Sequence, residues 1–260
     1  MDGSIILMGF AASAAAGVGA TGAGALPVLF IRRLSERLED MLLGFAAGVM
    51  LAASFFSLII PGIDKAQAQT GGSISATLIV IAAILLGGAS LSLINRYVPH
   101  EHFITGRFGK ETTKLRRIWL FIIAITLHNF PEGLSVGVGF GGGDIANGMT
   151  LAVAIGIQNI PEGLAVAVSL ASLNYSRRAA LAIAVATGAV EPIGGLLGVT
   201  AVTIFDPLLP WGLGFAAGAM LFVISNEIIP ETHRKGHENV ATSGLMIGLA
   251  LMMFLDVVLG

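Results

Sequence analysis

Long stretches without ionisable side chains alternate with short polar segments along this chain. Four stretches hold no Asp, Glu, Lys, Arg or His: residues 3–31, 41–63, 66–95 and 207–226. Four more hold only one or two such residues: 118–143, 145–176, 179–205 and 240–259. Because about 20 mostly apolar residues allow a helix to cross the hydrocarbon core of a bilayer, each of these stretches is long enough to span a membrane.

We therefore predict an all-α membrane protein in which residues 1–260 form a single transmembrane domain. Lipid offers no hydrogen-bond partner to free backbone groups, and the stretches are too long for barrel strands, so the spans are predicted to be helices. The eight predicted spans are Ser4–Ile31, Asp40–Pro61, Ser73–Asn95, Arg117–Phe140, Ile145–Leu173, Arg177–Phe205, Pro207–Pro230 and Val240–Leu259.

The composition indicates how these spans pack. The chain is 55% hydrophobic and 12% charged, which is about half the charged fraction of an average soluble domain. Its 35 glycines favour close helix–helix contacts in a membrane and permit a homodimer. The absence of cysteine excludes disulfides and thiolate metal ligands. The net charge of −2 gives no indication of nucleic acid binding.

The basic residues are confined almost entirely to alternate loops. Of the 14 Lys and Arg residues, 13 lie in the first, third, fifth and seventh loops, and the remaining one, Lys65, lies in the second. Since loops rich in Lys and Arg stay on the cytoplasmic side, the odd-numbered loops are predicted to face the cytoplasm and both termini to face outward. The predicted location is the cell (inner) membrane.

Two internal repeats relate the spans to one another. Residues 128–134 read HNFPEGL and residues 158–164 read QNIPEGL; residues 44–51 read GFAAGVML and residues 214–221 read GFAAGAML. Each pair lies in spans of opposite direction, which is typical of an inverted repeat with a substrate site near the midplane. The predicted bundle has three spans, a central pair and three further spans. A simple packing motif is the alternative explanation for the GFAAG pair.

Polar residues occur in the middle of three consecutive spans. They are His128, Asn129 and Glu132 in span 4, Gln158, Asn159 and Glu162 in span 5, and Glu191 in span 6. His128, Gln158, Glu191 and Met50 of span 2 lie roughly 10–14 residues from a span end, which at a rise of about 1.5 Å per residue is near the midplane. His128 and Glu132 are four residues apart and share a helix face, as do Gln158 and Glu162.

The glutamates at this depth have no basic residue beside them. A charge at the midplane costs at least about 2.5–3.5 kcal/mol, and no Lys or Arg lies at that level in any predicted span. Glu132, Glu162 and Glu191 must therefore be protonated or neutralised by a mobile cation. Protonated glutamates that only join helices are the alternative, but this leaves the nearby histidine and the prolines Pro131 and Pro161 unexplained, each of which frees a backbone carbonyl.

The types of ligand favour a transition-metal ion. Carboxylate, imidazole and amide oxygen suit Zn²⁺, Cd²⁺ or Fe²⁺ better than Ca²⁺, and Met50 adds a thioether unless it is only a packing residue. Two glutamates that face each other across spans 4 and 5 can bridge two ions. An intramembrane metalloenzyme is disfavoured, because no HExxH motif occurs and only one histidine lies at depth. A proton- or sodium-coupled carrier of an organic solute would lack a deep Lys or Arg for an anionic substrate.

With paired NxPEG motifs in spans 4 and 5, eight spans and outward termini, the whole chain resembles the ZIP (Zrt/Irt-like) family of divalent metal transporters, in its bacterial branch. The resemblance implies no enzymatic activity but transport of Zn²⁺ into the cytoplasm, with Cd²⁺, Fe²⁺ and Mn²⁺ as further candidate ions. It implies two ions in a binuclear site. One position would use Met50, His128, Glu132, Gln158 and Glu162, and the other Asn129, Glu132, Asn159, Glu162 and Glu191. Many relatives carry His in place of Gln158 and some carry an acid in place of Asn159, which weakens the expectation of tight zinc selectivity.

The same resemblance implies an elevator-like motion, in which spans 1, 4, 5 and 6 slide against spans 2, 3, 7 and 8. The implied outer entrance lies near Ser57, Asp64 and Asp256. The implied inner exit lies near Asp40, Glu227, His100 and His102. The three aspartates can equally be solvated residues at helix ends. His233 and His237, in the last inner loop, are expected to be solvated rather than to bind metal.

Overall fold

The protein is represented by a computed structural model that describes residues 3–31, 34–97, 110–234 and 236–259. This part of the chain is helical and contains no strand, which confirms the predicted all-α class. The helices are α1 (Gly3–Leu29), α2 (Glu36–Thr70), α3 (Ser73–Tyr97), α4 (Lys110–Gly141), α5 (Ile145–Ser172), α6 (Arg177–Ile204), α7 (Asp206–His233) and α8 (Glu238–Leu259).

Seven of these helices are long and apolar enough to cross a membrane within the described residues. The eighth, α4, has many side chains outside that description, so the count of eight spans stays a prediction. The observed α2 is longer than its predicted span. Its polar last turns, which include Asp64 and Lys65, continue the helix to Thr70, where Gly71 ends it at a φ of +70° that favours glycine.

Three helices contain a π-helical turn at which the regular hydrogen-bond ladder is interrupted. These turns are Ala15–Ala20 in α1, Ser54–Ile59 in α2 and Ile224–Ile228 in α7. A proline follows soon after two of them, Pro61 in α2 and Pro230 in α7. The helix α6 is broken at residues 189–190, so that Glu191 begins its second half. π-Helical turns are frequent at functional sites, and here they lie in helices around the centre of the bundle.

Glycines bring the outer helices into backbone contact. A Cβ built on Gly48 of α2 would lie 2.0 Å from the carbonyl oxygen of Leu245 in α8. A Cβ built on Gly218 of α7 would lie 2.0 Å from the carbonyl oxygen of Ile84 in α3. A side chain at either glycine would therefore force the helices apart. The result is two tightly joined pairs, α2 with α8 and α3 with α7.

The central helices are paired in the same manner. A Cβ built on Gly133 of α4 would lie 2.0 Å from the carbonyl oxygen of Glu191 in α6, and one built on Gly163 of α5 would lie 2.2 Å from that of Thr21 in α1. The pairs are thus α4 with α6 and α5 with α1. The 3+2+3 repeat relates α1–α3 to α6–α8 and α4 to α5. It therefore predicts that the pair α2–α8 corresponds to α3–α7 and that the pair α4–α6 corresponds to α5–α1, as observed.

A separate apolar core holds one group of four helices together. Its described members all belong to α1, α4, α5 and α6: Ala25, Val28, Ile122, Ile125, Val166, Ala167, Val168, Leu170, Ala171, Ala180 and Ala184. At the edge of this core, the Arg177 guanidinium of α6 donates to the carbonyl oxygen of Leu29, 2.6 Å away, at the end of α1. Among the described residues, this core includes none from α2, α3, α7 or α8. Other residues of the four helices, such as Val136 and Leu151, belong to the main apolar core together with residues of α2 and α7.

Candidate functional site

The two NxPEG segments lie within continuous helices, one in α4 and one in α5. Pro131 and Pro161 are interior helix residues, and each is followed by a glutamate and a glycine. Gly133 and Gly163 are the glycines at which α6 and α1 make their close backbone approach. The same short motif therefore supplies a buried carboxylate and, in the next residue, the space for a neighbouring helix to reach it.

Hydrogen bonds between helices join most of the polar residues predicted at this level. Gln158 Nε2 of α5 donates to Glu132 Oε1 of α4 at 2.5 Å. Asn159 Nδ2 donates to Glu191 Oε1 of α6 at 2.7 Å and to the Ala16 carbonyl oxygen of α1 at 2.9 Å. The helices α1, α4, α5 and α6 thus meet at one polar centre.

The centre contains an excess of oxygen acceptors without donors. The side chains concerned are at most 3% exposed. The acceptor atoms that find no hydrogen-bond partner in the described part of the chain are Asn129 Oδ1, Glu132 Oε2, Gln158 Oε1, Glu162 Oε1, Glu162 Oε2 and Glu191 Oε2. Buried acceptors are nearly always satisfied in native proteins. A cluster of unsatisfied oxygens is suited to a cation.

The charges reinforce this conclusion. Three glutamates are buried in the same polar centre, and their carboxylates would repel one another if all were ionised. The ion pairs of Arg234 with Glu231 and of His237 with Asp40 do not involve these glutamates. Three carboxylates in a low-dielectric interior without a basic partner are costly unless protons or metal ions neutralise them.

The described carboxylates and imidazoles alone do not complete a metal site. No three His, Asp or Glu side chains within the described set are grouped so that they could hold one ion. The side chain of His128 lies outside that set, although its backbone is part of α4. Any ion bound here would therefore also need amide oxygens or His128 as ligands.

Met50 is 1% exposed and packs in the main apolar core of the bundle. Its carbonyl oxygen accepts a hydrogen bond from Ser54 Oγ at 2.8 Å. Burial agrees both with a packing role and with a thioether near the polar centre. It lies on α2, which packs against α5, the helix that carries Gln158 and Glu162.

The predicted entrance residues separate into a pair and an isolated residue. Ser57 Oγ, within the π-helical turn of α2, donates to Asp256 Oδ1 of α8 at 2.7 Å. Ser57 is buried and Asp256 half-buried, so this aspartate is not simply a solvated end residue. Asp64 is exposed, in agreement with a solvated position at the end of α2.

The predicted exit residues require one correction. Asp40 is fully buried, and its Oδ2 lies 2.8 Å from His237 Nδ1. The alternative in which Asp40 is a solvated end residue is therefore wrong, because the start of α8 brings His237 over the start of α2. His237 itself keeps 30% of its side chain exposed. Glu227 is half-buried in the π-helical turn of α7. His100 and His102 lie outside the described residues.

The hydroxyl of Thr150 was not singled out from the sequence. Thr150 lies two helical turns from Gln158 on the same face of α5, because their positions differ by eight. It is 2% exposed, and its Oγ1 finds no partner among the described groups. A single threonine in an apolar span carries no sequence signal. The only indication was its i, i+4, i+8 register with Ala154 and Gln158.

Replacing Asn159 by aspartate is expected to make the stability of the protein depend on metal. Asn159 Nδ2 donates to two buried acceptors, and an aspartate would put a third acceptor against them. We expect the metal-free variant to lose about 1–3 kcal/mol of stability and added Zn²⁺ to raise its unfolding temperature more than that of the wild type. Thermal unfolding in detergent, with and without Zn²⁺, measures both effects. The exposed Asn239 provides the control variant Asn239→Asp, and an equal Zn²⁺ response in the two variants would contradict the expectation.

Comparison with known proteins shows extensive similarity to metal transporters. The family model described as ZIP Zinc transporter matches residues 100–256. The chain is 49% identical over 246 residues to the zinc transporter ZIPB of Bordetella bronchiseptica, covering 95% of this chain and 80% of that protein. It is 47% identical over 252 residues to the zinc transporter GufA of Myxococcus xanthus, covering 97% and 99%. It is 33% identical over 260 residues to the zinc transporter ZupT of Corynebacterium aurimucosum, covering 97% of each chain.

Proposed function

The chain belongs to the ZIP family of zinc transporters, and we propose that it moves Zn²⁺ across the inner membrane into the cytoplasm through the polar centre of α4, α5 and α6. Family membership and the apolar helices make it a multi-pass membrane protein of metal ion transport and not an enzyme. The observation that carries the proposal is the cluster of unsatisfied buried acceptor oxygens. The Lys and Arg residues of the odd-numbered loops support the orientation of the protein in the membrane, and the inward direction of transport is proposed from its membership of the ZIP family.

Two ions are proposed to share the centre. One position uses Met50, His128, Glu132, Gln158 and Glu162, and the other uses Asn129, Glu132, Asn159, Glu162 and Glu191. Unsatisfied oxygens on both bridging residues, Glu132 and Glu162, support this assignment. In the described geometry, the amide nitrogens of Gln158 and Asn159 each hold one carboxylate oxygen. An arriving cation would bind the remaining oxygens and compete with these two amides.

The ligand set suits several divalent ions. Carboxylate and amide oxygens accept Mn²⁺ and Fe²⁺, whereas a thioether and an imidazole favour Zn²⁺ and Cd²⁺. The proposed substrates are therefore Zn²⁺ first, then Cd²⁺, with Fe²⁺ and Mn²⁺ bound less tightly. A homodimer stays a prediction.

Movement is proposed to occur between two groups of helices. The group α1, α4, α5 and α6 has its own apolar core and carries the motif residues of α4, α5 and α6. The pairs α2–α8 and α3–α7 are joined through glycine–carbonyl contacts. The two groups meet mainly where α2 packs on α5 and α7 packs on α4. An elevator-like sliding at these surfaces would carry the ions from one side to the other without dismantling either group.

Purified protein in liposomes that contain a zinc-sensitive dye tests the proposed transport. We expect Zn²⁺ added outside to enter faster than into protein-free liposomes, and Cd²⁺ to compete more strongly than Mn²⁺. Repeating the measurement at two external pH values would show whether proton movement accompanies transport. Influx no faster than in protein-free liposomes would contradict the proposal.

A further inference from the structure

The two copies of the GFAAG repeat place a methionine at the same position in α2 and α7. Met50 is the seventh residue of GFAAGVML and Met220 the seventh of GFAAGAML. Both are buried, at 1% and 0% exposure, and both belong to the same apolar core. Met220 belongs to neither of the two proposed metal positions.

The glycines of the repeat fix the direction in which each methionine points. Gly48 faces the backbone of α8, and Gly218 faces the backbone of α3. Each methionine follows its glycine by two residues, which rotates it by about 200° around the helix axis. Met50 and Met220 therefore lie on the faces turned away from α8 and α3. Because both are buried, these faces point into the bundle and not toward lipid.

Each of these two helices, α2 and α7, also packs against one of the motif helices, α4 and α5, which carry the NxPEG motifs. Met50 lies on α2, which packs against α5, and Met220 lies on α7, which packs against α4. The contact of α7 with α4 is close, since a Cβ built on Gly212 would lie 3.1 Å from both methyl groups of Val138. The repeat that exchanges α4 with α5 thus also exchanges the two methionines.

We propose that Met220 is the counterpart of Met50: a thioether that contacts the transported ion at the opposite end of its travel. In an inverted-repeat transporter, the two halves exchange environments when the protein changes the side that it faces. An ion that leaves the Met50 side as the motif helices slide would then meet the same chemical group on the Met220 side. A soft sulfur ligand at both ends would favour Cd²⁺ and Zn²⁺ over Mn²⁺ throughout the cycle. This inference rests on the proposed sliding of the motif helices.

The first test compares leucine variants of three buried methionines. Met252 of α8 is also fully buried in the same core and serves as the matched control. In liposomes, we expect Met220→Leu and Met50→Leu each to lower the ratio of Cd²⁺ to Zn²⁺ uptake by about fivefold, equivalent to roughly 1 kcal/mol, and Met252→Leu to leave it unchanged. If Met220→Leu and Met252→Leu had the same ratio of Cd²⁺ to Zn²⁺ uptake, Met220 would be a packing residue and the inference would be wrong. Failure of the transport proposal itself would appear separately, as absence of Zn²⁺ uptake by the wild type.

A second variant keeps the inference testable if the leucine variant does not assemble. The chain has no cysteine, so Met220→Cys introduces a single thiol, and a thiolate binds Cd²⁺ more tightly than a thioether does. We expect Cd²⁺ to inhibit Zn²⁺ uptake by this variant at concentrations about tenfold lower than for the wild type, a difference of roughly 1.4 kcal/mol. The control is Met252→Cys. Equal Cd²⁺ sensitivity of the two cysteine variants would overturn the inference.

Discussion

Replacing Glu162 by glutamine is expected to reduce Zn²⁺ uptake about 100-fold or more, equivalent to roughly 2.7 kcal/mol of lost ion stabilisation. Glu162 is 3% exposed, and neither of its carboxylate oxygens has a partner among the described groups. It is also one of the two residues assigned to both proposed metal positions. The substitution keeps the shape of the side chain and removes its charge, so the loss would reflect the missing carboxylate and not a packing defect.

The same substitution is expected to stabilise the protein when no metal is present. Three buried carboxylates without a basic partner are costly to the stability of the protein. Removing the charge of one of them lowers this cost. The unfolding temperature of the metal-free variant in detergent should therefore rise, while the additional rise caused by Zn²⁺ should largely disappear. Glu36 is exposed in the first turn of α2, and Glu36→Gln should change neither quantity. Undiminished Zn²⁺ uptake by Glu162→Gln would refute the proposed site.

Replacing Gly133 by alanine is expected to cost about 1–3 kcal/mol of stability, the usual range for over-packing a close contact, and to abolish Zn²⁺ uptake. The added Cβ would lie 2.0 Å from the carbonyl oxygen of Glu191, so α4 and α6 must separate. Glu132 precedes the substituted residue, and Glu191 carries the carbonyl that must move. The separation would therefore displace two of the three carboxylates of the polar centre.

Gly19 is the matched control for this substitution. It lies in the transmembrane helix α1, is exposed, and the nearest atom to a built Cβ is 4.0 Å away. Gly19→Ala should be neutral or should stabilise the protein by up to about 1 kcal/mol, because alanine favours helix over glycine. Thermal unfolding in detergent and liposome uptake measure the two variants. Similar behaviour of both would show that the α4–α6 contact tolerates a side chain.

The helices could be predicted from the sequence because membrane insertion leaves a strong pattern. The charge-free stretches located the apolar segments, and the prediction failed mainly where polar residues extend a helix beyond its apolar stretch, as Asp64 and Lys65 do in α2. The break of α6 at residues 189–190 was not predicted either. Pro192 lies in the first turn of the second half of α6, but a proline inside a long apolar span indicates a kink as readily as a break. Gly188 alone does not distinguish a break from a close helix contact.

The residues of the polar centre could be predicted, but their pairing could not. Repeat register and helical spacing placed Glu132, Gln158 and Glu191 at one depth. Which amide meets which carboxylate depends on the relative register of helices, and this is set by glycine–carbonyl contacts that no local pattern encodes. The contact of Asp40 with His237 joins residues 197 positions apart. Contacts over such distances depend on the assembled bundle.

The pairing of α2 with α8 also has a consequence for how the protein is made. The helix α2 ends at Thr70, and α8 begins at Glu238. At ordinary rates of synthesis, roughly 10–30 s pass between the appearance of the two helices. During that interval, the glycine-lined face of α2 lies in the membrane without the backbone surface that it fits. The nascent chain must keep this face from pairing with the wrong helix, which makes α8 the element that completes assembly of the bundle.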